Sequence, residues 1–245
     1  MFAAVCTVIV LVRPGHAWPL LLAANRDERL DRPWDPPGAY WQERSGVIGG
    51  LDRLGRGTWM AMRGGVVAAV LNRPGSLGPA DGKRSRGELP LLALDERSAA
   101  AAAESLARLD AVRYRTFNMV LADAEGAWFV RGLGRGRPEV RGLDPGLHMV
   151  TAHDPDDPAN ARALRHLPHF QAAAPPDPAS GDWAAWIALL GDRSGARGAA
   201  INVPGEGGFG TVCASLVGVS ETGEARWLFA AGPPDEAPFR PVSLP

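Results

Sequence analysis

The stretch Cys6-Thr7-Val8-Ile9-Val10-Leu11-Val12, followed by Arg13-Pro14-Gly15-His16 and then by Trp18-Pro19-Leu20-Leu21-Leu22-Ala23-Ala24-Asn25-Arg26-Asp27-Glu28, decides how this chain folds. Thr7 to Val12 is β-branched and apolar without alternation, the pattern of a central strand covered on both faces. Pro14-Gly15 punctuates it as a turn. Residues 18–24 then form the returning strand of a hairpin. The tetrad Asn25-Arg26-Asp27-Glu28 falls where that second strand ends. Cys6 at the start of one strand and the tetrad at the end of the other are therefore expected to be neighbours in space.

Working outward, residues 29–42 hold Pro33, Pro36, Pro37 and Gly38 and read as a breaker-rich loop. Strands are expected at 47–49, 58–62 and 66–71, the last closed by Asn72-Arg73-Pro74-Gly75. A polar loop spans 75–87. Helices are expected at 88–94 and 98–109, the second with Ser98 as N-cap ahead of an alanine run. Strands follow at 117–122, 127–130 and 148–151. Asp157-Pro158 is a cap-plus-N1 pair for a helix through His166, with Pro168 breaking it. Asp182 caps a helix over 183–190. After a flexible glycine-rich stretch at 205–210, residues 211–219 and 225–230 form a closing hairpin. Strands, helices, strands, helices and strands in that order predict a layered α+β sandwich with helices outside, in one domain over 1–245.

Composition narrows the function. At 245 residues the chain buries a core without metals or disulfides. A net charge of −1 argues against a nucleic-acid partner, which calls for a basic footprint. Two cysteines, Cys6 and Cys213, make no disulfide framework and point to a reducing, cytoplasmic setting. The apolar run at 2–12 lacks a preceding positive charge, unlike a secretory signal, and no segment is long enough to span a membrane. Neither glycine-rich stretch, 132–136 or 205–210, has the strand, loop, lysine and helix order of a phosphate-binding loop. No zinc-ligand spacing occurs.

By itself Cys6 is a small core residue at the start of a buried strand, and a charged tetrad is a turn with a surface ion pair. Together they also supply what a site needs to orient a nucleophile and hold an anion: an amide, a guanidinium and two carboxylates. Further segments are Gly57-Thr58-Trp59, Leu71-Asn72-Arg73-Pro74, Ser85-Arg86-Gly87-Glu88-Leu89, Phe117-Asn118 and Thr211-Val212. With Cys6-Thr7 and Asn25-Arg26-Asp27-Glu28 they resemble, in order, the NRDE family, also called the transport and Golgi organisation type 2 family. That family is similar to the choloylglycine-hydrolase and acyl-transferase branch of the N-terminal-nucleophile (Ntn) hydrolases, which implies a four-layer αββα fold.

The resemblance implies Cys6 as nucleophile, Arg26 and Asp27 orienting it, and Asn72 as an oxyanion donor. Asn25 and Glu28 hold the turn and, with Trp59, Asn118 and His153, stand as candidate substrate-binding residues. A second amide of that branch is replaced in Thr151-Ala152-His153-Asp154, and its late arginine has no counterpart at 211–216. The implied activity is an amidohydrolase or acyltransferase acting on an amide or thioester carbonyl of an acylated small molecule, with no cofactor. It requires a free amine on Cys6. Residues 1–5 are then either a short propeptide or a misassigned start, and Val5 as an initiation codon is the favoured account. The alternative is a non-catalytic carrier of haem, or of an acyl-lipid or acyl-CoA, with Cys6, His148, His153, His166 and His169 as possible haem ligands.

Overall fold

The computed structural model describes residues 6–245, so the expectation about residues 1–5 lies outside it. In chain order the strands and helices are β1 (Thr7–Val12), β2 (Leu20–Arg29), β3 (Trp34–Gly38), β4 (Ile48–Asp52), β5 (Met60–Arg63), β6 (Val66–Asn72), α1 (Leu89–Ala93) and α2 (Ala99–Leu106). They continue as β7 (Phe117–Asp123), β8 (Gly126–Gly132), β9 (Glu139–Leu143), β10 (Gly146–Val150), α3 (Ala161–Ala172), α4 (Ala184–Leu190), β11 (Phe209–Val219), β12 (Ala225–Ala230) and β13 (Phe239–Pro241). One sheet runs β10-β1-β2-β11-β12-β13, and the other runs β3 to β9 in sequence order.

Side-chain alternation along the strands builds the layers. Val8, Val10, Leu20 and Leu22 face the other sheet and meet Val67, Ala69, Leu71 and Val120. Ile9, Leu21 and Ala23 point the opposite way and meet Phe170 of α3 and Trp186 of α4. On the second sheet Ala68, Met119 and Leu121 are covered by Leu91 of α1 and by Ala102 and Leu106 of α2. Strands apolar on both faces are thus explained, since each sheet has a partner sheet on one side and helices on the other. The result is the layered α+β sandwich that the pattern predicts, in the four-layer αββα form that the resemblance implies.

Several expected boundaries move. The tetrad lies inside β2, not beyond it, because β11 pairs along the whole strand out to Phe209 opposite Arg29. The polar side chains disguise a stretch that β11 holds in strand after the pairing with β1 has stopped at Asn25. The breaker-rich loop contains β3, an edge strand where Pro36 and Pro37 are tolerated because one side of the ladder is open. The glycine-rich stretch at 205–210 ends in strand, with Gly210 opposite Glu28. β9, an exposed edge strand, carries too little apolar pattern to be foreseen. Finally, Asn160 caps α3 in place of Asp157, and α3 continues through Pro168 to Ala172. Pro168 and Leu164 both face solvent, so the carbonyl that loses its donor is open to water.

A candidate active site between the sheets

β1 and β2 are antiparallel with Thr7 opposite Asn25. Extending that register by one residue sets Cys6 beside Arg26, and on the far side of β2 Arg26 is opposite Cys213 of β11. β11 carries an irregularity between Thr211 and Cys213 that takes Val212 out of register. Such a bulge re-aims its neighbours: Thr211 pairs with Asp27 on the helix-facing side and Cys213 with Arg26 on the inter-sheet side.

The alternation of β2 sends the tetrad in two directions. Asn25 and Asp27 face the helix layer. The Asn25 amide donates to the carbonyls of Leu190 and Ile201 at 3.0 Å each. It thereby ties β2 to the end of α4 and to the chain leading into β11. The Asp27 carboxylate accepts from Thr211 Oγ1 at 2.7 Å and from Arg162 Nη1 at 3.0 Å, and the same Arg162 nitrogen donates to Thr7 Oγ1 at 2.8 Å. Burial raises the Asp27 pKa above the ordinary carboxylate value, while Arg162 and Thr211 oppose the rise. Arg26 and Glu28 face the other sheet. Arg26 stacks on the Trp59 ring, 4.1 Å from its centroid, with its Nη2 3.6 Å from a Glu28 oxygen.

Cys6 Sγ donates to the backbone carbonyl of Asp27 at 3.6 Å. Burial, then the Asp27 charge, push its pKa up to about 11, although the Asp27 carbonyl and Arg26 pull the other way. Cys6, Thr7, Asn25, Arg26 and Trp59 line one narrow cavity of about 20 Å³ with Leu71 and Cys213. That is room for a single water-sized group. Trp59 has a seat because Gly50 lacks a side chain; a Cβ there falls 2.2 Å from the indole. Gly57 presses on Gly87 so closely that its Cβ would lie 2.4 Å from the Gly87 carbonyl carbon, and the Gly87 carbonyl accepts from the Thr58 amide at 2.8 Å. Two motifs thirty residues apart in sequence thus form one joint that places Trp59.

The remaining candidates lie apart. Asn72 ends β6, one residue beyond Leu71 of the cavity lining. Asn118 is buried and joins the two sheets, donating to the carbonyls of Thr151 and His153 and accepting from Arg73. The His153 ring meets Asp157 at 3.1 Å. Both residues sit outside the cavity beside Cys6. Sequence reasoning missed Arg162, the cation that holds Asp27. Its signal was present: Arg162, His166 and Phe170 recur at the four-residue spacing of one helix face, and that face is buried. No group of three or more His, Cys, Asp or Glu side chains is placed to hold a metal ion among the described residues. No helix among them is long and apolar enough to cross a membrane.

A family model described as Transport and Golgi organisation 2 matches residues 5–174, more than half of the chain. No curated protein sequence matches. Among solved structures, the N-acylethanolamine-hydrolyzing acid amidase ortholog of Caenorhabditis elegans is similar at a TM-score of 0.57 with 14% identity. The match covers 86% of this chain and 92% of that one. At that identity the likeness is one of fold, and the fold is Ntn-hydrolase-like.

Proposed function

Because this chain belongs to the Transport and Golgi organisation 2 family, and its fold is Ntn-hydrolase-like, we propose that it is an N-terminal-cysteine hydrolase or acyltransferase. Its substrate is an acylated small molecule, and the bond attacked is an amide or thioester. The observation that carries this reading is the shared cavity of Cys6 and Arg26 between the two sheets. In the proposed mechanism the chain is processed to begin at Cys6. The new α-amino group, with an ordinary pKa near 7.7–8.0, accepts the thiol proton. This supplies what the intact chain lacks, since a thiol with a pKa of about 11 is almost wholly protonated at neutral pH. Asp27, fixed by Thr211 and Arg162, holds its backbone carbonyl at the Cys6 sulfur. Asn72, at the end of β6 one residue beyond Leu71 of the cavity lining, is proposed as an amide donor to the substrate carbonyl.

The haem-carrier alternative has weaker support. Both ring nitrogens of His148 are engaged, by Asp156 and the Asp144 carbonyl, and His166 is buried with Nε2 on the Ala199 carbonyl. The test is intact mass of protein from its native host, followed by incubation with a library of N-acylated amines and acyl thioesters. A chain starting at Cys6 that releases free acid, and is labelled by iodoacetamide at Cys6 before Cys213, is the expected result. A native chain that keeps residues 1–5 overturns the mechanism. A saturable haemin or acyl-CoA complex without product would instead support the carrier.

A further inference from the structure

Arg26 carries a feature of the cavity that the mechanism above leaves unused. Its residue is 5% exposed, and its Nη1 is buried with no hydrogen-bond partner. A buried guanidinium N–H left unsatisfied is costly unless something else occupies its direction part of the time. Other guanidiniums of the region are committed: Arg32 to Asp52, and Arg86 to Ser76 Oγ and the Thr116 carbonyl. Arg26 is also held still. Trp59 lies under its plane at 4.1 Å, and Glu28 is 3.6 Å from Nη2, the other terminal nitrogen. The adjoining space admits one water-sized group, too little for a whole carboxylate or phosphate but enough for a single oxygen.

We propose that Arg26 Nη1 is a catalytic oxyanion donor: it takes the oxygen of the substrate carbonyl as Cys6 attacks. The proposal rests on Cys6 being the nucleophile. In the step, the Cys6 sulfur lone pair forms a bond to the carbonyl carbon. The carbonyl π pair moves onto oxygen, and that alkoxide accepts from Arg26. Collapse re-forms the C=O bond and expels the leaving group with its bonding pair. An amine takes up the proton that the α-amino group received from the thiol, a thiolate or phenolate leaves without it, and an acyl thioester remains on Cys6. A positive donor fixed in a water-poor site is suited to this because it need not reorganise as charge develops. Its plane is set by Trp59, which gives Trp59 a function beyond packing.

Two reagents separate this role from its rivals on the full chain at pH 9, where part of the thiol is ionised. Acylation of Cys6 by p-nitrophenyl acetate passes through a tetrahedral oxyanion and releases p-nitrophenolate. Alkylation by iodoacetamide displaces iodide at a methylene carbon and develops no oxyanion. Mass spectrometry localises each adduct. For Arg26→Gln we expect acylation to slow by about 10²–10³, while alkylation changes far less. Arg26→Lys, which keeps the charge and loses the fork, should show the same split. Equal slowing of both reactions would mean that Arg26 only ionises the thiol, and no slowing of either would make it structural; each overturns the proposal. If wild-type Cys6 resists both reagents while Cys213 reacts, it is the nucleophile reading itself that fails. Iodoacetamide on the same preparation also exposes a misfolded variant, because Cys213 then becomes reactive.

Discussion

Removing the Arg162 side chain strands a carboxylate in the protein interior. Asp27 is wholly buried and Arg162 nearly so, at 0% and 4% side-chain exposure, and their contact is 3.0 Å. Breaking such a pair from one side is far worse than never having made it. We expect Arg162→Met to cost about 3–5 kcal/mol in denaturant unfolding. Adding Asp27→Asn to it should recover part of that loss, since the remaining group is neutral and Thr211 still donates to it. Recovery of nothing would show that the pair contributes only through packing. At this scale the sequence shows the residues better than their directions. Asn25, Arg26, Asp27 and Glu28 are legible as a polar cluster beside Cys6. That they divide alternately between two faces follows only from their lying within a strand, and the polar composition concealed that strand.

A joint between elements carries the Trp59 platform, and its tolerance is measurable. A methyl group on Gly57 would meet the Gly87 backbone at 2.4 Å, whereas one on Gly87 meets nothing nearer than 3.2 Å. Gly57→Ala should therefore destabilise by about 1–3 kcal/mol through forced backbone movement, and Gly87→Ala by clearly less. Thermal unfolding of the two variants checks the order; a reversed order would place the close approach elsewhere. The segments at 57–59 and 85–89 are recognisable in sequence, but their mutual contact is not, because no local pattern encodes which glycine faces which. Hairpins were legible for the opposite reason. An apolar run, a Pro-Gly turn and a second run specify β1 and β2 locally, whereas β3 and β9, the two edges of the second sheet, carry prolines or exposed polar residues where an apolar run would announce a strand.

For the molecule as a whole, the segment between β10 and α3 makes stability depend on pH. His148 Nδ1 meets Asp156 at 2.6 Å, and this bond raises the histidine pKa above its ordinary 6.5. The proton is thus held more tightly in the folded state. The contribution is complete below pH 6.5 and is lost as pH rises through the higher folded value. Asp156 also accepts from the Met149 amide, and its backbone is left-handed at φ 59, a conformation that asparagine tolerates. Asp156→Asn should therefore destabilise the protein more at pH 5.5 than at pH 9, by chemical unfolding at each. An equal loss at both would assign the effect to the amide contact alone.

The placement of Cys6 and Cys213 on either side of β2 has a consequence for oxidative damage. The two flank Arg26 on strands that are not adjacent, so their Cα atoms are separated by two strand spacings, roughly 9–10 Å. A disulfide needs less than about 7 Å. A sulfenic acid formed on Cys6 therefore has no resolving thiol within the fold. It must await an external thiol or proceed to the irreversible sulfinic and sulfonic acids. Peroxide treatment should give Cys6 adducts with added low-molecular-weight thiol and never a Cys6–Cys213 bridge, which peptide mapping without reduction distinguishes. Any cell that relies on Cys6 chemistry must guard it from outside the molecule.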